Sequence, residues 1–105
     1  MVRVSFVYRK DRGSHFDLEF YIHRHMPKVR AALAPHGLTA VEVDVPAGDG
    51  ADHPFHAVGH PYFERAEQFA EGFSLEGPAL KANIPNYTDV APEIQVSKVV
   101  TCGEE

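Results

Sequence analysis

The hydrophobic residues of this chain recur with two different periods, and the period switches back and forth along the sequence. Val2, Val4, Phe6 and Tyr8 alternate with Arg3, Ser5, Val7 and Arg9, which is the period of a strand. After a polar segment from Lys10 to His15, Leu18, Ile22, His25, Val29, Ala32 and Leu33 recur at spacings of three and four, which is the stripe of a helix. Asp17 is placed to cap that helix. Pro27 interrupts it, so the helix either kinks there or starts a fresh turn, and Pro35 and Gly37 end it.

The alternation then repeats. Val41, Val43 and Val45 alternate with Ala40, Glu42 and Asp44, and the segment from Pro46 to Pro54 has the composition of a flexible loop. A third strand is expected from Phe55 to Phe63, with pairing on one side stopping or bulging near Pro61. Ala66, Phe69, Ala70 and Phe73 mark one face of a second helix whose end Gly72 weakens. Pro78 suits the first turn of a separate short helix carrying Leu80. Asn86 to Asp89 reads as a turn, and Ile94, Val96, Lys98 and Val100 alternate as a last strand. The end from Gly103 to Glu105 is expected to fray.

The order βαββαβ predicts an α+β, ferredoxin-like fold: a four-stranded antiparallel sheet with both helices on one face. A chain of 105 residues fits one such domain, 1–105. The other sheet face is left bare, and it is partly apolar because Val7 lies beside Arg3 and Ser5. Such a face predicts a homodimer.

Charge narrows the partners. There are 15 acidic and 10 basic residues, for a net charge of -5, and the basic ones are scattered apart from Arg9, Lys10 and Arg12. Nucleic acid is therefore not an expected partner. No apolar run approaches the roughly 20 residues that span a bilayer. The N-terminus reads as a strand and not as a signal peptide, so a cytoplasmic location is the default expectation. Cys102 is the sole cysteine and reads as a surface thiol.

Three segments, FDLEFYIHRHMP, VGHPYF and IPNYTD, together resemble the EthD family over nearly the whole chain, from Val2 to about Val100. The resemblance implies a dimeric α+β barrel in which two ferredoxin-like sheets pack face to face with helices outside. Similar barrels include muconolactone isomerases and cofactor-free quinone-forming monooxygenases. The family takes its name from ethyl tert-butyl ether breakdown and is linked to oxidative catabolism.

Seven histidines invite a metal hypothesis, and their spacing argues against it. His23 and His25 project roughly 200° apart on a helix. His56 and His60 share a strand face about 13 Å apart. No metal motif, phosphate loop or dinucleotide fingerprint occurs, so neither metal nor cofactor is expected.

His25 stands out, because the helical stripe places it between Ile22 and Val29, facing the sheet. It is either an acid/base titrating near neutral pH or a buried histidine satisfied by a hydroxyl or carbonyl. Tyr21, one turn earlier, shares its face and either assists it or fills the core. His60 points either into the same cavity or to the opposite face, since parity alone does not choose. Asn86 and Tyr87 either close one end of a pocket or satisfy their own turn. The expected function is a dimeric catabolic protein that binds a small apolar or aromatic molecule, with cofactor-free oxygenation or proton transfer at His25. The alternative is a non-catalytic dimeric binding or accessory module.

Overall fold

Alternation sets the first strand. In β1 (Val2–Arg9), Val4 and Tyr8 are buried among the helices while Arg3, Ser5 and Val7 face the other way. The computed structural model describes residues 1–48 and 53–103, so the expected loop over Pro46 to Pro54 lies partly outside the described residues, as does the end of the chain.

The first helical region has three parts: α1 (Leu18–Phe20), a π-helical turn (Tyr21–His25) and α2 (Met26–Leu33). The Asp17 carboxylate accepts from the Phe20 N–H at 3.1 Å, as the sequence predicts. The interruption anticipated at Pro27 takes the form of the π turn just before it, where the Met26 N–H reaches back to the Tyr21 carbonyl. One extra residue in the turn shifts the stripe. Ile22, expected to face the core, is instead 37% exposed, and Tyr21, His25 and Met26 are buried. Gly37, at φ 97°, adopts the left-handed geometry that stops the region after a 3-10 turn (Ala34–His36).

The remaining elements are β2 (Ala40–Asp44), β3 (Phe55–Phe63), α3 (Ala66–Ala82), a 3-10 turn (Ile84–Asn86) and β4 (Glu93–Lys98). Two expectations about α3 are corrected. Pro78 starts no separate helix but lies inside α3. The carbonyl it deprives of a donor belongs to Ser74, which is exposed, so water can satisfy it. Gly72 does not weaken the helix end either. A Cβ there would lie 2.9 Å from His36 Cβ and 3.3 Å from Leu33 Cδ2, so glycine is what lets α3 approach the first helical region.

The strands form one four-stranded antiparallel sheet in the order β2-β3-β1-β4. This is the ferredoxin-like arrangement, an α+β fold. The β1–β3 ladder pairs Val2 with Phe63 and Arg3 with Tyr62, then resumes at Phe6 with Gly59. Pro61, which has no N–H to offer, sits in that interval and pairs on its other side with Val41. The core of Val4, Tyr8, Tyr21, Leu33, Phe63 and Tyr87 fills the space between sheet and helices.

The bare sheet face is more polar than expected. Val7 faces Val58 there beside the Arg9–Glu93 ion pair at 2.6 Å, and the Tyr62–Glu42 hydrogen bond at 2.7 Å lies further along the same face. Exposed apolar side chains collect on β4 instead, where Ile94 and Val96 are 43% and 47% exposed. Among the described residues no helix is long and apolar enough to cross a membrane.

Candidate functional site

Between the helix-facing side of the sheet and the helices lies a cavity of about 670 Å³. Phe6, Met26, Val29, Leu33, Phe73 and Leu80 give it a mainly apolar wall. Gly59 and Pro61 of β3 form part of its floor. Gly59 is required there, since a Cβ at that position would overlap the Tyr21 hydroxyl oxygen. Thr88, Asp89, Val90 and Ile94 carry the wall from the loop before β4 onto β4 itself.

The π turn brings Tyr21 and His25 onto this wall. Their rings stack at 5.5 Å with planes 17° apart, so the sequence pairing of these two residues holds in space. Tyr87 packs on the other side of His25, ring centres 4.8 Å apart. The Tyr87 and Tyr8 hydroxyls hydrogen-bond at 2.7 Å, and Tyr21 lies within Tyr8's reach. Burial raises the pKa of all three phenols, so they stay protonated.

His25 is 5% exposed. Its Nδ1 lies 2.9 Å from Asn83 Nδ2, and Asn83 Oδ1 accepts from Asn86 Nδ2 at 2.8 Å. Asn86 is thus one residue removed from the imidazole, and Tyr87 touches it. Burial, and secondarily the charge of Lys28, lower the His25 pKa from 6.5 to about 4. The ring is therefore neutral at physiological pH and a weaker base than its sequence position suggests.

This shift has a thermodynamic consequence. The unfolded imidazole takes up a proton between its ordinary value of 6.5 and about 4, where the folded one stays neutral. His25 therefore makes stability fall as pH drops through that window, and the effect is absent above the unfolded value. Melting temperature against pH is expected to be flatter for His25→Gln than for the wild type across the same range.

His60 lies away from the cavity, on the opposite sheet face. Its Nε2 meets Asp44 Oδ2 at 2.8 Å and its Nδ1 meets Ser5 Oγ at 3.1 Å, linking β3 to both neighbouring strands. At the cavity mouth His15 and Asp89 are 3.6 Å apart and both exposed. Among the described residues, no three His, Cys, Asp or Glu side chains converge closely enough to hold a metal ion.

Sequence reasoning passed over Asn83, Tyr8 and Gly59. Asn83 ends α3, where asparagine reads as a cap, and Tyr8 reads as one more strand aromatic. Gly59 alone carried a signal, since a glycine inside a strand marks close approach by another group.

No family model matches the sequence, and no curated protein matches it. Solved structures do match. An EthD-like protein from Ralstonia eutropha is 32% identical, with a TM-score of 0.84 over 98% of this chain and 95% of that one. An ethyl tert-butyl ether d (EthD) family protein from Bacillus halodurans has a TM-score of 0.72 at 18% identity, over 95% of this chain and 99% of that one. A dimeric ferredoxin-like protein from an uncultured marine organism has a TM-score of 0.56 at 12% identity, covering 99% and 96% of the two chains. The last two likenesses speak to the fold. The first is close enough, over nearly the full length of both chains, to show that this chain belongs to the EthD-like family.

Proposed function

We propose that the chain acts as a homodimer that binds a small apolar or aromatic molecule in the cavity beside His25, in oxidative catabolism. One observation carries the reading: a buried imidazole forms part of the wall of a mainly apolar cavity of about 670 Å³. Cavities of this size bury drug-sized ligands and orient them with few polar groups. The chemistry proposed is cofactor-free proton transfer or oxygenation, with His25 as acid/base and Tyr21 assisting. A second reading, a carrier or accessory module without turnover, is favoured by the low basicity of His25.

His25→Gln and His25→Ala separate the two. If His25 does chemistry, both variants should fold while turnover falls about 10²–10⁴-fold. Aromatic and ether substrates would be screened with the wild type, and co-purified ligand sought by native mass spectrometry. Ligand retention without turnover in the wild type would favour the carrier.

The dimer is supported by the apolar, unpaired edge at β4, where Ile94 and Val96 are exposed. The similar marine protein is itself dimeric. Sedimentation at micromolar concentration is expected to give twice the chain mass, with an interface above roughly 1,200 Å². A monomer throughout that range would overturn the dimer.

A further inference from the structure

His25 has two ring nitrogens, and they differ in what they face. Nδ1 meets the Asn83 side-chain amide at 2.9 Å. The Asn83 oxygen is already engaged, accepting from Asn86 Nδ2 at 2.8 Å. Asn83 therefore presents its NH₂ to the imidazole, and an amide NH₂ can only donate. Nδ1 must accept, so the single proton of the neutral ring resides on Nε2.

Nε2 has no hydrogen-bond partner among the described residues. The buried side-chain nitrogens left unpartnered there belong to Arg3 and His53, so Nε2 of His25 is not sealed away. On a residue that lines the cavity and is 5% exposed, the remaining access is to the cavity itself. We infer that Asn83 and Asn86 are positioning residues that hold the His25 proton on Nε2, and that the cavity takes a neutral apolar molecule bearing one carbonyl oxygen, which that N–H binds. The inference rests on the binding reading above and names its ligand class.

The rest of the lining supports a single neutral acceptor. The Tyr8 hydroxyl is engaged with Tyr87 and lies within reach of Tyr21. Thr88 Oγ1 donates to the His15 carbonyl at 2.6 Å and accepts from the Val90 N–H at 3.1 Å. The charged lining residues Lys81 and Asp89, and His15 beside Asp89, are exposed at the mouth. Around the imidazole itself stand Tyr21 and Tyr87, both kept protonated, and Lys28 on its own helix. Among the described residues no acid faces it to favour an imidazolium. An anion carried to this depth would lose its hydration, and the neighbouring cations, Lys28 and Lys81, are themselves exposed to solvent.

Fluorene and fluorenone test this directly, because they differ by a methylene in place of a carbonyl and share one shape. Fluorenone is expected to bind the intact protein about five- to tenfold more tightly than fluorene, with fluorene carboxylate weakest. The carbonyl stretch of bound fluorenone should shift to lower frequency, as for an accepted hydrogen bond. Heteronuclear NMR of the imidazole should show the proton on Nε2. Asn83→Leu should erase the fluorenone preference and the infrared shift while leaving fluorene affinity unchanged. Asn86→Ala, at an exposed position, provides the same comparison at lower risk to folding and should weaken the preference by freeing the Asn83 amide to turn.

Equal binding of fluorene and fluorenone, tightest binding of the carboxylate, or a proton found on Nδ1 would each overturn the assignment and leave cavity binding intact. Failure of all three probes to bind would instead remove the binding reading, and this inference with it.

Discussion

Tyr87→Ala is expected to destabilise the protein by about 3–5 kcal/mol, the range for deleting a large buried aromatic side chain. Tyr87 is 1% exposed and contacts the rings of Tyr8, Phe16, Phe20, Tyr21 and His25 at centroid distances from 4.8 to 6.2 Å. Its carbonyl also accepts from the Asp17 N–H at 2.7 Å, tying the approach to α1 to the approach to β4. The alanine variant keeps that backbone bond and loses the ring, so the loss measures packing. Tyr87→Phe keeps the ring and removes one of the hydroxyls paired at 2.7 Å. It should cost about 1 kcal/mol, because Tyr8 retains Tyr21 within reach. Urea denaturation of both variants gives the comparison. If alanine costs no more than phenylalanine, the aromatic cluster is not what holds these segments together.

Gly59→Ala is expected to cost about 1–3 kcal/mol, the range for inserting atoms into a packed core. The new Cβ would overlap the Tyr21 hydroxyl oxygen, whereas Met26 Cε, at 3.8 Å, is at ordinary contact distance. Tyr21 must therefore move, and it stacks on His25. Tyr21→Phe removes the atom that obstructs the Cβ. In the Gly59→Ala background it should restore most of the lost stability, although alone it is mildly destabilising. That reversal of sign is a coupling energy, and a double-mutant cycle measures it. Additive effects would mean that the strand backs away from Tyr21 and that glycine is not needed for the ring's position.

The sequence made the strands legible because a half-buried strand shows its face every second residue. Val4 and Tyr8 could hardly be placed otherwise. Residues that break regular structure were harder to read. Pro27 announces a disturbance without saying that it is a π turn, and so Ile22 reads as buried on the stripe with His25 where the structure exposes it. Gly72 and Pro78 have low helix propensity, yet α3 runs through both. Propensity yielded there to the close approach of Leu33 and His36 and to the exposure of Ser74.

At the site, His25 and Tyr21 could be paired because they lie one turn apart on one helix. The Asn83 contact to His25 spans 58 residues and exists only once the end of α3 closes over the π turn. No local pattern encodes it. The face of His60 was undecided for a different reason: alternation gives two faces without labelling them. Its pairing with Glu42, and the pairing of Arg3 with Tyr62, assign the even-numbered residues at that end of β3 to the face away from the helices.

The π turn also sets which change in length the helix can absorb. It holds one residue more than the α turn it replaces. Removing one residue from Tyr21–His25 would let the turn close as ordinary α-helix, with Leu18–Phe20 and Met26–Leu33 keeping roughly their facing toward the sheet. What would change is the placement of Tyr21 and His25. An alignment gap placed here would therefore signify a different cavity wall and not a broken helix.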